Sequence, residues 1–328
     1  MANFGPGPRN DITDVPGIKV GQAHDAIART GVTVVIPDAP AVIAGDIRGG
    51  GPGTRETDLL DPSTLVERAD AVVLAGGSSY GLGAADGVAA HLGAEGKGFR
   101  LIDIPGVPPS PIVPAAILYD LANGGDKGWG ETPPYPALGR KAAAAVGAPL
   151  KQGRAGAGFG ARAGAEPGGV GSVSYDAGGG LIIGALMAVN SFGSVRAPGS
   201  KAFWAAPFEM NGEFGAFGAP PAGIAADLPA DTKLAAPRAN TTIGVVAVSA
   251  ALTQAEARRV AIMAQDGIAR AIRPVHGPTD GDVIFVLAAG EVEPQGPLDL
   301  TRIGSIAADC VARAVARAVY EAGRVRPS

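Results

Sequence analysis

The backbone is what most constrains this chain: 51 of its 328 residues are glycine and 28 are proline, yet 46% of the sequence is hydrophobic. Disordered Gly/Pro-rich chains lack that apolar content, so this one is expected to be compact, with tight turns and backbone packed close against backbone. Aromatic residues make up only 5%, which leaves the core to Ala, Val, Ile and Leu. A chain of this length can bury one large core or two ordinary ones.

Along the chain, "GVTVVIP" (31–37) and "PAVIAGDI" (40–47) read as strands joined in a hairpin. "ADAVVLAGGSSYGLGAADGVAAHL" (69–92) reads as a buried strand, a glycine turn and an Ala-rich helix, and 110–123 and 136–147 as helices. Strands are expected at 170–176, 180–191, 242–250 and 282–290. A helix over about 253–273 opens with Thr253 and Glu256 in capping-box spacing, and a last helix over 300–322 carries an apolar stripe. Residues 197–239 show little periodicity and read as a long, exposed, flexible connector. Strand runs on both sides of helical blocks predict layered α/β architecture, with stacked sheets covered by helices.

Charge and cysteine content narrow the function. A net charge of −4 without Lys/Arg runs argues against a nucleic-acid groove or a polybasic membrane patch. One cysteine, Cys310, makes no internal disulfide and fits a reducing compartment. No secretory signal pattern opens the sequence, and no stretch of 18 unbroken apolar residues occurs; a soluble, cytoplasmic protein is the expectation.

Several motifs invite chemistry and fail a context test. "GAGFGA" (156–161) matches a dinucleotide fingerprint, but no apolar strand precedes it; close backbone packing is the better reading. His24, His91 and His276 are far apart in sequence, with no metal-ligand spacing, so no metal is expected, and with the glycine run out of context no organic cofactor is expected either. Ser78 and Ser79 sit on a glycine-flanked turn but lack G-x-S-x-G. Tyr80 on that turn is either a packing residue or a hydroxyl donor to an oxyanion. Asn190, ending an apolar strand, is either a strand-end cap or a buried donor. Asp280 and Asp282, two residues apart at a strand entry, would project to one side and could orient an ammonium group.

The remaining motif is "ANTTIGVVAV", in which Asn240-Thr241-Thr242 lead from the connector into a strand. Strand propensity alone accounts for the threonines. The sharper alternative makes Thr241 a nucleophile that uses its own α-amine as base, an amine that exists only once the preceding bond is cut. A reference pKa of ~7.7–8.0 suits that amine to proton transfer at neutral pH. The chain supplies what such a site needs: a loose segment upstream, a rigid strand, and nearby acids.

Taken in order, "DVPGIKVGQAHD", "RGGGPGTRETDLLDP", "LAGGSSYGLGAADGV", "GRAGAGFGA", "GGVGSVS", "AVNSFGSV", "NTTIGVVAV" and "DGDVIF" resemble the L-aminopeptidase/D-esterase (DmpA) and β-aminopeptidase family, and in particular its nylon-oligomer (6-aminohexanoate oligomer) hydrolase branch with a Thr nucleophile. The resemblance runs through most of the chain. It implies a four-layer αββα sandwich like the N-terminal-nucleophile hydrolases, formed by residues 1–328 as one α/β hydrolase domain. It also implies self-cleavage between Asn240 and Thr241 into chains 1–240 and 241–328, and a homotetramer or larger assembly. Thr241 would be the nucleophile, Asp280 and Asp282 the acids that orient it and its amine, Asn190 the amide of the oxyanion or of the nucleophile's network, and Tyr80 the tyrosine beside the substrate. The substrate would be a small peptide or a linear aliphatic amide. A non-catalytic scaffold on the same fold is the alternative. One departure stands out: relatives commonly carry a Lys in the glycine-rich stretch, where this chain has Ala165, Glu166 and Pro167. Either Arg162 or a lysine from elsewhere substitutes for it, or the site works without it.

Overall fold

The computed structural model describes residues 4–225, 227–228, 231–233 and 240–324. In chain order the strands are β1 (Ile18–Asp25), β2 (Thr30–Pro37), β3 (Ala41–Ile47), β4 (Thr54–Arg55), β5 (Arg68–Ala69), β6 (Val72–Ala75), β7 (Ala115–Ile117), β8 (Arg162–Ala163), β9 (Glu166–Pro167), β10 (Gly169–Asp176), β11 (Ile182–Asn190), β12 (Thr241–Ala250) and β13 (Val283–Val292). The α-helices are α1 (Ala84–Ala94), α2 (Tyr135–Ala144), α3 (Gln254–Ala271) and α4 (Pro297–Arg324). Two large sheets form, one ordered β1-β2-β6-β7-β4 and one ordered β10-β11-β12-β13-β3-β5, and β8 and β9 pair as a separate two-stranded ribbon.

The apolar runs sort into layers by the two-residue period of a strand. From β12, Ile243, Val245 and Ala247 face β2, β6 and β7 of the other sheet, meeting Val35, Val72, Leu74 and Ala116. The intervening Val246 and Val248 face the opposite way and pack against Val260 and Ala264 of α3 and Val311 and Val315 of α4. Val32, Val34 and Val73 of the first sheet meet Val88 and Leu92 of α1 and Leu138 and Ala142 of α2. The result is the expected αββα sandwich. All ten residues of β12 are buried, which is why that segment shows no polar alternation.

Glycine acts mainly through close approach. A Cβ at Gly171 of β10 would stand 2.0 Å from the Ala314 carbonyl oxygen of α4, so only glycine lets that helix lie on the strand. Gly158 in the "GAGFGA" run meets the backbone of Gly169 and Val170 in the same way. That run is a short 3-10 turn packed on backbone, as its context predicts. The capping box at Thr253 and Glu256 is present.

Three expectations are corrected. The strands at 31–37 and 40–47 are not a hairpin: β2 pairs with β1 and β6, whereas β3 pairs with β13 and β5 in the other sheet, so the Asp38-Ala39 turn carries the chain between layers. Residues 110–123 are not helical; prolines at 108, 109, 111 and 114 interrupt a helical pattern, and Ala115–Ile117 form β7, parallel to β6. The expected connector is docked rather than loose over its first half. Phe203 and Phe214 are buried there. Glu213 makes an ion pair with Arg313 of α4, with side chains 4% and 1% exposed. Positions 226, 229, 230 and 234–239 of the connector lie outside the described residues. Among the described residues, no helix is long and apolar enough to cross a membrane.

Candidate active site

The cluster forms where three adjacent strands of the six-stranded sheet begin or end. Thr241 opens β12, and the antiparallel register sets it directly opposite Asn190, the last residue of β11. On its other side β12 runs parallel to β13, and Asn240 bridges to Asp280 just before that strand starts. Opposed residues share a face with Cβ atoms about 4.5–5.5 Å apart, so the Thr241 and Asn190 side chains are neighbours by register. The structure thus brings together five sequence-selected residues: Asn190, Asn240, Thr241, Asp280 and Asp282. All are 2–3% exposed.

Thr241 holds its hydroxyl against the carbonyl oxygen of Asn240, to which Oγ1 donates. That carbonyl also accepts the Gly281 N–H at 3.2 Å. A backbone donor therefore already points at the oxygen on which negative charge would collect during attack at that carbon. A Cβ at Gly281 would come within 2.8 Å of Thr241 Oγ1 and 2.9 Å of the Gly51 carbonyl oxygen. The "GGG" loop at 49–51 lies across this turn: Gly51 N donates to Asp280 O at 2.7 Å, and a Cβ at Gly49 would strike that same carbonyl oxygen at 2.2 Å.

The two carboxylates take different partners. Asp282 Oδ1 accepts the Thr242 N–H at 2.7 Å, fixing the backbone next to the threonine. Its Oδ2 meets His276 Nδ1 at 2.8 Å and accepts the His276 N–H at 3.2 Å. Asp280 Oδ2 accepts the Gly277 N–H at 2.8 Å. Burial, reinforced by the charge of Asp282, pushes the Asp280 pKa up to about 6. His276, which the sequence leaves unassigned, thus belongs to this cluster. Among the described residues, no group of three or more His, Cys, Asp or Glu side chains is placed to hold a metal ion.

Asn190 is held on both ends. Its Nδ2 donates to the Tyr119 carbonyl at 2.9 Å, and its Oδ1 accepts the Arg162 N–H at 3.0 Å. A second donor reaches Oδ1 at 2.9 Å: the Nζ of Lys233, which also donates to the Asn190 backbone oxygen at 2.9 Å. This lysine comes from the connector, not from the glycine-rich stretch. Burial, with the charge of Arg162 added, pulls its pKa down to about 7. Arg162 itself turns its guanidinium to the Ala165 carbonyl.

Tyr80 stands apart from this tight cluster. It lies on the 3-10 turn Ser78–Gly83, about half exposed, with its ring edge-on to Trp129 at 5.7 Å. That turn is tied to the Asn190 anchor through one segment: Ser78 N donates to Leu118 O at 3.0 Å, and Gly77 N to Asp120 Oδ1 at 2.7 Å, on either side of Tyr119. Burial raises the Asp120 pKa to about 6.

A buried hydroxyl, paired acids and an oriented amide thus meet at the mouth of an αββα sandwich, and the chain's family and relatives identify it as a hydrolase of amide bonds. The chain belongs to peptidase family S58, whose model matches residues 10–328. A protein named an uncharacterized aminopeptidase from Mycobacterium tuberculosis is 46% identical over 95% of this chain and 94% of its own length. A 6-aminohexanoate-oligomer endohydrolase from a Kocuria strain is 30% identical, covering 93% of this chain and 84% of its own. Among solved structures, a Burkholderia β-aminopeptidase superposes with a TM-score of 0.70 at 22% identity, over 97% of this chain and 88% of that one. The L-aminopeptidase D-Ala-esterase/amidase of Ochrobactrum anthropi, described as a variant of the Ntn hydrolase fold, matches with the same TM-score at 22% identity, over 95% and 86%.

Proposed function

We propose that this chain is the precursor of an N-terminal-threonine amidohydrolase, which cuts itself between Asn240 and Thr241 and then hydrolyses small peptides or linear aliphatic amides. The observation that carries the reading is the Thr241 hydroxyl lying against the Asn240 carbonyl, which also accepts the Gly281 N–H. In the first step Oγ1 attacks the Asn240 carbonyl carbon, the C–N bond breaks, and water hydrolyses the resulting ester. Asn240 keeps a carboxylate, and Thr241 gains a free α-amine.

In the mature enzyme that amine takes the proton from Oγ1 as Oγ1 attacks the substrate carbonyl, then passes it to the leaving nitrogen; water, with the same amine as base, then hydrolyses the acyl ester and frees Thr241. Asp282 holds the backbone of Thr242, and Asp280, beside Asn240, faces the new ammonium. Asn190 and Tyr80 serve the oxyanion and the substrate mouth. The names borne by the relatives support both substrate classes: aminopeptidase for one, 6-aminohexanoate-oligomer endohydrolase for the other. No metal or organic cofactor enters these steps. A cytoplasmic setting belongs to the same proposal, supported by the single cysteine, Cys310, which makes no internal disulfide. So does self-association, supported by the exposed Leu101, Ile102 and Ile104.

Denaturing electrophoresis tests this reading directly, together with assays on α-dipeptide amides, β-peptides and aminohexanoate oligomers. Wild-type protein should run as two bands and hydrolyse at least one class. Thr241→Ala should run as one band and hydrolyse none. One band from folded wild-type protein would favour a scaffold.

A further inference from the structure

Self-cleavage poses a problem the mature reaction does not have. Before the cut, the nitrogen of Thr241 belongs to a peptide bond; its lone pair is delocalised and accepts no proton. Some other group must take the hydroxyl proton in the first event. Asp282 is poorly placed, since both its oxygens are occupied by Thr242 and His276. Asp280 already accepts the Gly277 N–H on Oδ2 and a second backbone hydrogen bond from Phe192.

Lys233 has the right chemistry and the right place. Its Nζ sits 2.9 Å from both oxygens of Asn190, the residue directly opposite Thr241 in the sheet. Its backbone is held independently of its side chain: Lys233 N donates to Phe192 O at 3.0 Å, and two residues earlier Asp231 O accepts from Ala165 N at 2.9 Å. The charged groups facing the amine are Arg162, which disfavours its protonation, and Asp280, which favours it. Burial and Arg162 act together and outweigh Asp280, bringing the pKa to about 7, so that a large fraction of the amine is neutral at physiological pH.

We propose that Lys233, carried on the segment just upstream of the cleavage point, is the base of the self-cleavage step. Its neutral amine takes the proton from Thr241 Oγ1, directly or through one water, while Oγ1 bonds to the Asn240 carbon. The ammonium returns that proton to the Thr241 nitrogen as the C–N bond breaks, giving ester and α-amine. Water then adds to the ester carbon with the new α-amine as base; the C–Oγ1 bond breaks, leaving carboxylate and hydroxyl. The segment is thus a working part of the site, and its lysine stays on the large chain after the cut. This inference rests on the self-cleavage reading above.

The test uses full-length chains made by cell-free synthesis as a pulse and then shifted to pH 5–9, with conversion to two bands followed over time. Wild-type conversion should rise about tenfold per pH unit at low pH and level off near pH 7. Lys233→Met and Lys233→Arg should cut at least ~100-fold more slowly, the size of a general-base contribution, and should lose the rising limb. Added methylamine should partly restore Lys233→Ala but not Thr241→Ala. Conversion of Lys233→Arg at the wild-type rate and with the wild-type pH profile would overturn the proposal, as would cutting by Lys233→Met with that profile. If Lys233→Met failed to fold, the Arg variant and methylamine rescue would still decide. A wild-type chain that never cuts would instead refute the self-cleavage reading itself.

Discussion

Gly281→Ala isolates the placement of the Thr241 hydroxyl from every other property of the fold. The substitution adds one methyl group, whose carbon would lie 2.8 Å from Thr241 Oγ1 and 2.9 Å from the Gly51 carbonyl oxygen, whereas ordinary contact begins at 3.4 Å. One or both neighbours must retreat by about 0.5 Å. Gly51 O is backbone in a loop whose glycines already touch the 277–282 turn, so the movable partner is the threonine side chain. Gly281 does not have a positive φ, so alanine is conformationally allowed, and its lower unfolded-state entropy offsets part of the clash by about 0.4–1 kcal/mol. Stability should therefore change by less than about 2 kcal/mol. Misplacing a reacting atom on the ångström scale costs on the order of 100-fold in rate. Self-cleavage, followed by denaturing electrophoresis, should slow by roughly 10- to 100-fold while the urea midpoint moves little. Wild-type cleavage kinetics in a folded Gly281→Ala chain would show that Oγ1 of Thr241 is not the reacting atom.

Three further outcomes follow from the same geometry. Asp282→Asn sets an amide N–H against at least one of the N–H donors that Asp282 now accepts, from Thr242 and His276; it should lower stability by about 1–3 kcal/mol in urea titrations and slow self-cleavage. Thr242→Val removes a buried hydroxyl that has no partner among the described residues; stability should hold or rise slightly, and intact-mass analysis should still find two chains. Asp280 has a raised folded pKa, so its contribution to stability is present below the unfolded value of 3.8 and lost as pH rises through about 6. Asp280→Asn, always neutral, should therefore match wild type near pH 4 and exceed it by about 1–3 kcal/mol above pH 6. A stability difference independent of pH would refute that assignment.

Much of this architecture was legible because local signals and tertiary fate agree. The capping box at Thr253, the stripe through Ile303, Cys310, Val311 and Val315, and the fully apolar β12 each state where they go. The Asp280/Asp282 pair and Asn240-Thr241 lie within a few residues of strand starts, so register alone unites them with Asn190. What failed was partner choice. β2 and β3 are both apolar, and a short turn between them looks like a hairpin until the demand for two sheets separates them. β7 is three buried residues among prolines, too short for periodicity to distinguish from helix. Lys233 gave no local sign at all: it reaches Asn190 from 43 positions away along an aperiodic segment. Its one trace was indirect, the missing lysine among Ala165, Glu166 and Pro167. His276 was similarly dismissed on sequence spacing, which says nothing about a turn that folds back on Asp282.

The central claim is that Thr241 becomes the first residue of a new polypeptide. Intact mass spectrometry with N-terminal sequencing of active, purified protein tests it most directly. The account predicts two polypeptides, one beginning at Thr241 and one ending at Asn240. Activity from an uncut chain, or a second polypeptide beginning at Thr242, would contradict it.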